Sequence, residues 1–69
     1  MIEVYKTNVA DKSTADETAQ LLSAHYPGLK INFDLDDCDR ILRIEGHHFQ
    51  PAIIAGQLHA LGIICEVLE

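Results

Sequence analysis

Three histidines, His25, His47 and His48, are the side chains of this sequence whose chemistry best suits a metal ion. Imidazole nitrogens bind zinc, nickel and divalent copper, so three of them on neighbouring loops could share one ion. Their spacing matches no ligand motif, however. The alternative is that they are surface loop residues near helix ends, where a histidine interacts favourably with the C-terminal end of the helix dipole.

A second polar group is acidic and consists of Asp11, Asp36, Asp37 and Asp39. Carboxylate oxygens suit calcium or magnesium, but no calcium-loop spacing is present. The same charges could dock a basic protein, in which case binding weakens as the salt concentration rises. The remaining alternative is a solvated acidic face.

The two cysteines, Cys38 and Cys65, are too few for a disulfide framework. We expect free thiols in a reducing compartment and therefore a cytoplasmic location. Cys65 is expected to pack in the core as a small apolar side chain. Carboxylates surround Cys38 and disfavour its thiolate, so it should be a poor nucleophile.

Composition and motifs exclude several function classes. The chain carries a net charge of −6 with only five Lys and Arg, which argues against nucleic-acid binding. No apolar run approaches the roughly 20 residues of a membrane helix, and the N-terminal stretch lacks the pattern of a signal peptide. A Ser-His-Asp grouping and a glycine-rich phosphate loop are both missing, so the sequence predicts no enzyme.

The hydrophobic pattern predicts one domain, 1–69, because 48% of the side chains are hydrophobic and the chain is short. Alternating apolar positions indicate strands, and apolar positions at helical spacing indicate helices. The predicted elements are strand 2–9, helix 14–26, strand 29–35, turn 36–39, strand 40–46, helix 49–61 and strand 63–69.

Capping chemistry sets the predicted helix boundaries. Ser13 with Asp16, or Thr14 with Glu17, offers a capping box for the first helix. Gly62 tolerates the left-handed turn that ends the second. The apolar residues expected to face inward are Ala15, Ala19, Leu22 and Tyr26 on the first helix and Ile54, Leu58 and Leu61 on the second.

The element order β-α-β-β-α-β predicts an α+β domain. Two right-handed crossovers give a four-stranded antiparallel sheet with both helices on one face, which is the ferredoxin-like fold. In this fold the loops gather at two poles. The acidic residues should lie at one pole, and the three histidines at the other.

Four segments of the chain resemble, in their order and spacing, the heavy-metal-associated domain family, especially small bacterial copper-chaperone-like members: YKTNV, YPGLKINFDL, DRILRIEG and LHALGI. The resemblance covers nearly the whole chain. It implies the same ferredoxin-like scaffold, and in that family a Cys-x-x-Cys loop after the first strand binds copper.

The chain departs from this family at the metal loop. Alignment with the family places Asp11 and Thr14 where the two metal-binding cysteines would stand. Monovalent copper is a soft ion that prefers thiolates, whereas a carboxylate and a hydroxyl are hard oxygen donors. The resemblance therefore implies the scaffold, and we do not expect copper transfer at these positions.

The helix-free face of the predicted sheet is a further candidate site. Tyr5, Ile41, Ile64 and Leu68 are expected to point outward there, with Arg43 nearby. Four apolar side chains close together would form a patch that a partner or a second copy could bury. The alternative is scattered exposed apolar residues, which need no explanation.

Two functional hypotheses follow from these residues. The first is a non-enzymatic, heavy-metal-associated-like module that has lost soft-metal binding and works through protein interaction or dimerisation, without a cofactor. The second is a metal-binding accessory protein that uses His25, His47 and His48 with zinc, nickel or divalent copper.

Overall fold

The computed structural model describes residues 1–36 and 38–68. Its elements, in chain order, are β1 (Ile2–Thr7), α1 (Lys12–His25), β2 (Lys30–Asp34), β3 (Ile41–Glu45), α2 (Pro51–Ala60) and β4 (Cys65–Val67). The four strands form one sheet in the order β2-β3-β1-β4, and all neighbouring strands are antiparallel. The predicted α+β class and a ferredoxin-like βαββαβ arrangement are confirmed.

Both helices cover the same face of the sheet. Leu42 and Ile44 of β3 are completely buried, and they form one cluster with Leu22 of α1 and with Ile54 and Leu58 of α2. Strand side chains alternate between the two faces, so this cluster defines the inner face of the sheet. Among the described residues, no helix is long and apolar enough to cross a membrane.

The prediction that Tyr5 points outward is wrong. Tyr5 pairs with Leu42, shares its face and is completely buried. Its hydroxyl donates a hydrogen bond of 3.0 Å to the carbonyl oxygen of Pro51, at the start of α2. The sequence of β1 was ambiguous because apolar residues occupy both of its faces, and a shift of one position exchanges the two sets.

The first helix begins earlier than predicted, at Lys12 rather than at residue 14. Its N-cap is Asp11, not Ser13 or Thr14, so neither of the predicted capping boxes forms. The buried residues of α1 include Ala15 and Leu22 as expected, whereas Ala19 and Tyr26 are half-buried.

The second helix ends at Ala60, one residue earlier than predicted. Leu61 is therefore not part of an inward stripe and is 46% exposed. Gly62 has a φ of +82°, which confirms the left-handed turn expected there. After this turn Ile63 is buried.

Strands β1 and β4 are shorter than predicted. Strand β4 has three residues, and β1 ends at Thr7 because the chain then turns toward the segment before β4. Asn8 makes two bonds there: its backbone N–H donates to the carbonyl oxygen of Ile64 at 3.1 Å, and its side-chain oxygen accepts from the Ile64 N–H at 3.0 Å. The predictions for Asp37, in the turn, and Glu69, in the last strand, lie outside the described residues.

Candidate functional site

Asp11 lies in the loop between β1 and α1, and Thr14 lies in the first turn of α1. Asp11 is the N-cap of α1 and accepts two hydrogen bonds from Thr14, from its backbone N–H at 3.2 Å and from its hydroxyl at 2.8 Å. An aspartate is well suited to this position because its carboxylate satisfies an amide that has no partner within the helix. The two side chains thus bind each other at the helix start.

This bonding also sets the charge state of the loop. The hydroxyl and then the backbone N–H of Thr14 lower the pKa of the Asp11 carboxyl, because both bonds stabilise the ionised form. The site therefore carries a hard, charged oxygen group at neutral pH. Such a group does not suit monovalent copper.

The described acidic residues Asp11, Asp36 and Asp39 lie at one pole of the sheet but make separate contacts. The Asp39 carboxylate lies 3.8 Å from the Lys6 ammonium group. The backbone carbonyl oxygen of Asp39 accepts a hydrogen bond from the Thr7 N–H at 3.2 Å. The Asp34 carboxylate accepts the backbone N–H of Asp36 at 3.2 Å. These contacts order the start and end of the β2–β3 turn.

The three histidines meet at the opposite pole, as the fold predicts. His25, His47 and His48 line one surface depression of about 380 Å³, together with Tyr26 and Phe49. Within residues 1–36 and 38–68, however, no three His, Cys, Asp or Glu side chains are placed so that they could hold one metal ion. The three imidazoles are neighbours without forming a three-ligand site.

His25 has a local role in α1. Its Nδ1 lies 3.1 Å from the carbonyl oxygen of Leu21, which can only accept, so this bond requires the proton on Nδ1. The bond satisfies a carbonyl of the last helical turn. This position agrees with the helix-end alternative for His25.

The two thiols differ in their surroundings. Cys38 is exposed, and Cys65 is half-buried with its Sγ 3.9 Å from the carbonyl oxygen of Ala55. Burial raises the pKa of the Cys65 thiol. A protonated, partly buried thiol is a packing residue rather than a nucleophile.

The helix-free face of the sheet presents an apolar centre. The pairing of β1 with β3 and β4 places Val4, Ile41 and the chain segment at Leu68 on this face. Its exposed apolar residues are Ile2 at 50%, Ile64 at 68% and Leu68 at 37%. We call this surface the outer face. Its apolar members are Ile2, Val4, Ile41, Ile64 and Leu68.

The charges on the outer face cancel. Outward strand positions carry three basic and three acidic side chains, whereas the whole chain has a net charge of −6. Three of the five Lys and Arg of the chain are therefore on this one surface. The charged residues of the outer face are Lys6, Lys30, Arg43, Asp34, Glu45 and Glu66.

Four of the five residues predicted for the interaction face, Ile41, Arg43, Ile64 and Leu68, lie on the outer face or at its edge. Ile2 and Val4 belong there and were missed. The sequence signal for them is weak, because β1 has one charged residue on each face: Lys6 lies on the face of Ile2 and Val4, and Glu3 on the face of Tyr5.

No family model, no curated protein and no solved structure matches this chain.

Proposed function

We propose that this chain is a non-enzymatic interaction module, and that its outer face pairs with the outer face of a second copy. The single observation that supports this is the combination of an apolar centre with balanced charge on one side of the sheet. Apolar residues exposed together, with charged residues among them, are typical of a surface that a protein partner covers.

Charge favours a second copy as the partner. Two molecules of net charge −6 repel each other through most of their surfaces. The outer face is the exception because its basic and acidic side chains are equal in number. In a two-fold pair each copy presents the same patch, so Lys30 and Arg43 can oppose acidic groups of the other copy, whereas Lys6 already contacts Asp39 of its own chain.

The proposal includes the loss of soft-metal chemistry. On a scaffold that resembles the heavy-metal-associated family, Asp11 and Thr14 stand in place of the thiols that would hold monovalent copper. Their hydrogen bonds to each other start α1 instead. We propose that the module keeps the architecture of that family and uses it for protein contact.

Sedimentation equilibrium with two matched variants tests the pairing. Ile64→Glu places a charge on the outer face, and Ile53→Glu places the same charge on the exposed side of α2, where Ile53 is 51% exposed. We expect a dimer mass for the wild type and for Ile53→Glu at high protein concentration, and a monomer mass for Ile64→Glu.

A monomer mass for the wild type at every concentration would contradict the pairing. So would equal dissociation by the two variants, since general charge repulsion and not the outer face would then explain the effect. Circular dichroism of both variants verifies that they are folded at the concentrations used.

We propose one second candidate function, binding of zinc, nickel or divalent copper at the histidine depression, which requires the rings to move because, as placed among the described residues, they form no three-ligand site. Its support is that all three imidazoles line one surface feature. Calorimetry with each ion in turn tests it, with the double variant His47→Ala, His48→Ala as the control. Heat of binding in the wild type that is lost in the double variant supports the candidate, and no heat with any of the ions contradicts it.

A further inference from the structure

The edge of the sheet at β2 carries a second surface, which shares Asp34 with the outer face but none of the apolar residues of that face. Strand β2 pairs with β3 alone, and helix α1 packs over it. A groove of about 600 Å³ runs between α1 and β2. This volume is in the range of sites that bind short peptides or small molecules.

The floor of the groove is apolar. Ile31, Phe33 and Leu35 are half-buried side chains on the inner face of β2 and its extension, and Ala19 lies opposite them on α1. Ala19 is small, so space remains between the helix and the strand. Residues that alternate along a strand and share one side offer pockets at the spacing of alternate side chains in a neighbouring strand.

The backbone of β2 supplies the second requirement. In the part of the chain that the structure describes, no strand pairs with the outer side of β2. An edge strand presents N–H and C=O groups that an extended peptide can bind by adding a strand. Main-chain bonds to β2 and side-chain pockets under α1 are therefore available to the same ligand.

Charge selects the ligand. The rim of the groove carries three carboxylates, those of Asp16, Asp34 and Asp36, and one ammonium group, that of Lys12. The whole chain is acidic as well. We propose that the groove between α1 and β2 binds an extended basic peptide segment of another protein, in which apolar residues alternate with Lys or Arg.

In the bound form the peptide lies beside β2 as a fifth strand. Its apolar side chains enter the space over Ile31 and Phe33, and its basic side chains reach the carboxylates of the rim. This site shares Asp34 with the outer face but none of its apolar residues, so the groove and the proposed pairing can be tested independently through Ala19 and Ile64.

A labelled synthetic peptide of about six residues, alternating Lys or Arg with Val or Leu, is the probe for a fluorescence anisotropy titration. The matched variants are Ala19→Leu, which fills the groove, and Ala24→Leu, which adds the same side chain at an exposed position of the same helix. We expect about tenfold weaker binding to Ala19→Leu and unchanged binding to Ala24→Leu.

Two further arms test the charge and the strand. A peptide with Glu in place of each Lys or Arg should not bind, and added salt should weaken binding of the basic peptide. Hydrogen exchange should slow at the backbone amides of β2 when the basic peptide is present.

Three results would overturn the inference. The first is no binding of the basic peptide, and the second is equal binding to Ala19→Leu and wild type. The third is protection of the β2 amides that rises with protein concentration in the absence of peptide, which would identify a second copy as the occupant of the groove.

Discussion

The two faces of the sheet are built from the same strands, but they differ in cover and in charge. The inner face has Tyr5, Leu42 and Ile44 completely buried under the helices. The outer face exposes Ile2 and Ile64 and carries charged side chains of both signs in equal number. Apolar content alone therefore does not distinguish a core face from a contact face. What distinguishes them is that helices cover the inner face, whereas the outer face carries charged side chains.

Leu42→Ala should have the largest effect on this comparison. Leu42 has no exposed surface, so its truncation leaves a cavity, and we expect a loss of about 2–5 kcal/mol in the free energy of unfolding. Ile41→Ala removes an apolar side chain from the next position, on the outer face, and should lose much less. Urea unfolding at low protein concentration measures both. Equal losses would remove the distinction between the faces.

Tyr5→Phe tests the one residue that the sequence placed on the wrong face. Removal of its buried hydroxyl deletes the bond to Pro51 and should lower the free energy of unfolding by about 1 kcal/mol at neutral pH. Tyr26→Phe, at a half-buried position, is the matched control. An equally small effect at both tyrosines would contradict a structural role for the Tyr5 hydroxyl.

The dependence of the free energy of unfolding on pH at alkaline values is a second test of the buried Tyr5 hydroxyl. Burial, with smaller contributions from the charges of Glu3 and Cys65, raises the pKa of Tyr5 from 10.0 to about 12. Between these values the unfolded chain loses the Tyr5 proton and the folded chain keeps it, so stability falls as pH rises. We expect the fall to be steeper in wild type than in Tyr5→Phe. Urea unfolding across this pH range measures it, and parallel curves would contradict the assignment.

Asp11→Ala tests how much the N-cap of α1 contributes to stability, since α1 is one of the two helices that cover the inner face. Loss of the cap should lower the melting temperature, but less than Leu42→Ala does. Because the pKa of Asp11 is lowered, its charge stabilises the fold above the ordinary carboxyl range and this stabilisation is lost as pH falls.

Asp11→Asn separates the two contributions of this residue. Asparagine also caps helices, so this variant should keep most of the melting temperature at neutral pH. Its melting temperature should lack the part of the fall at acidic pH that protonation of Asp11 causes in wild type. Calorimetry between neutral and acidic pH measures this difference. A melting temperature for Asp11→Ala equal to that of wild type would show that the cap is dispensable.

Ile2→Ser should have the smallest effect on folding. Ile2 is half-exposed on the outer face, and the free energy of unfolding in dilute solution should change by about 0.5 kcal/mol or less. At concentrations where the copies pair, the same variant should weaken pairing. A large loss of stability in dilute solution would mean that the outer face is part of the core.

Much of the fold could be predicted because local signals and topology agree. Three signals agree with the observed elements: the alternating apolar residues of β2, the apolar residues at helical spacing in the two helices, and the turn at Gly62. The failures occur where the local pattern is symmetric. In β1, Tyr5 competes with Ile2 and Val4 for the inner face, and only the pairing with β3 decides between them.

Less of the candidate site could be predicted. The grouping of the histidines at one pole follows from topology, but whether three rings converge on a point depends on loop geometry that the sequence does not encode simply. The balance of charge on the outer face emerges only after the register of four strands is known. The groove beside β2 depends on the small size of Ala19 and on the position of α1. The position of α1 is set by tertiary packing, which the local sequence pattern does not show.

The unequal lengths of the two edge strands limit how large an assembly can grow. Strand β2 offers five residues for pairing, whereas β4 offers three. A chain of molecules joined edge to edge needs two good edges on each copy, and this protein has one. Two copies joined through β2 would therefore expose only their short β4 edges, which are poor templates for further strand addition.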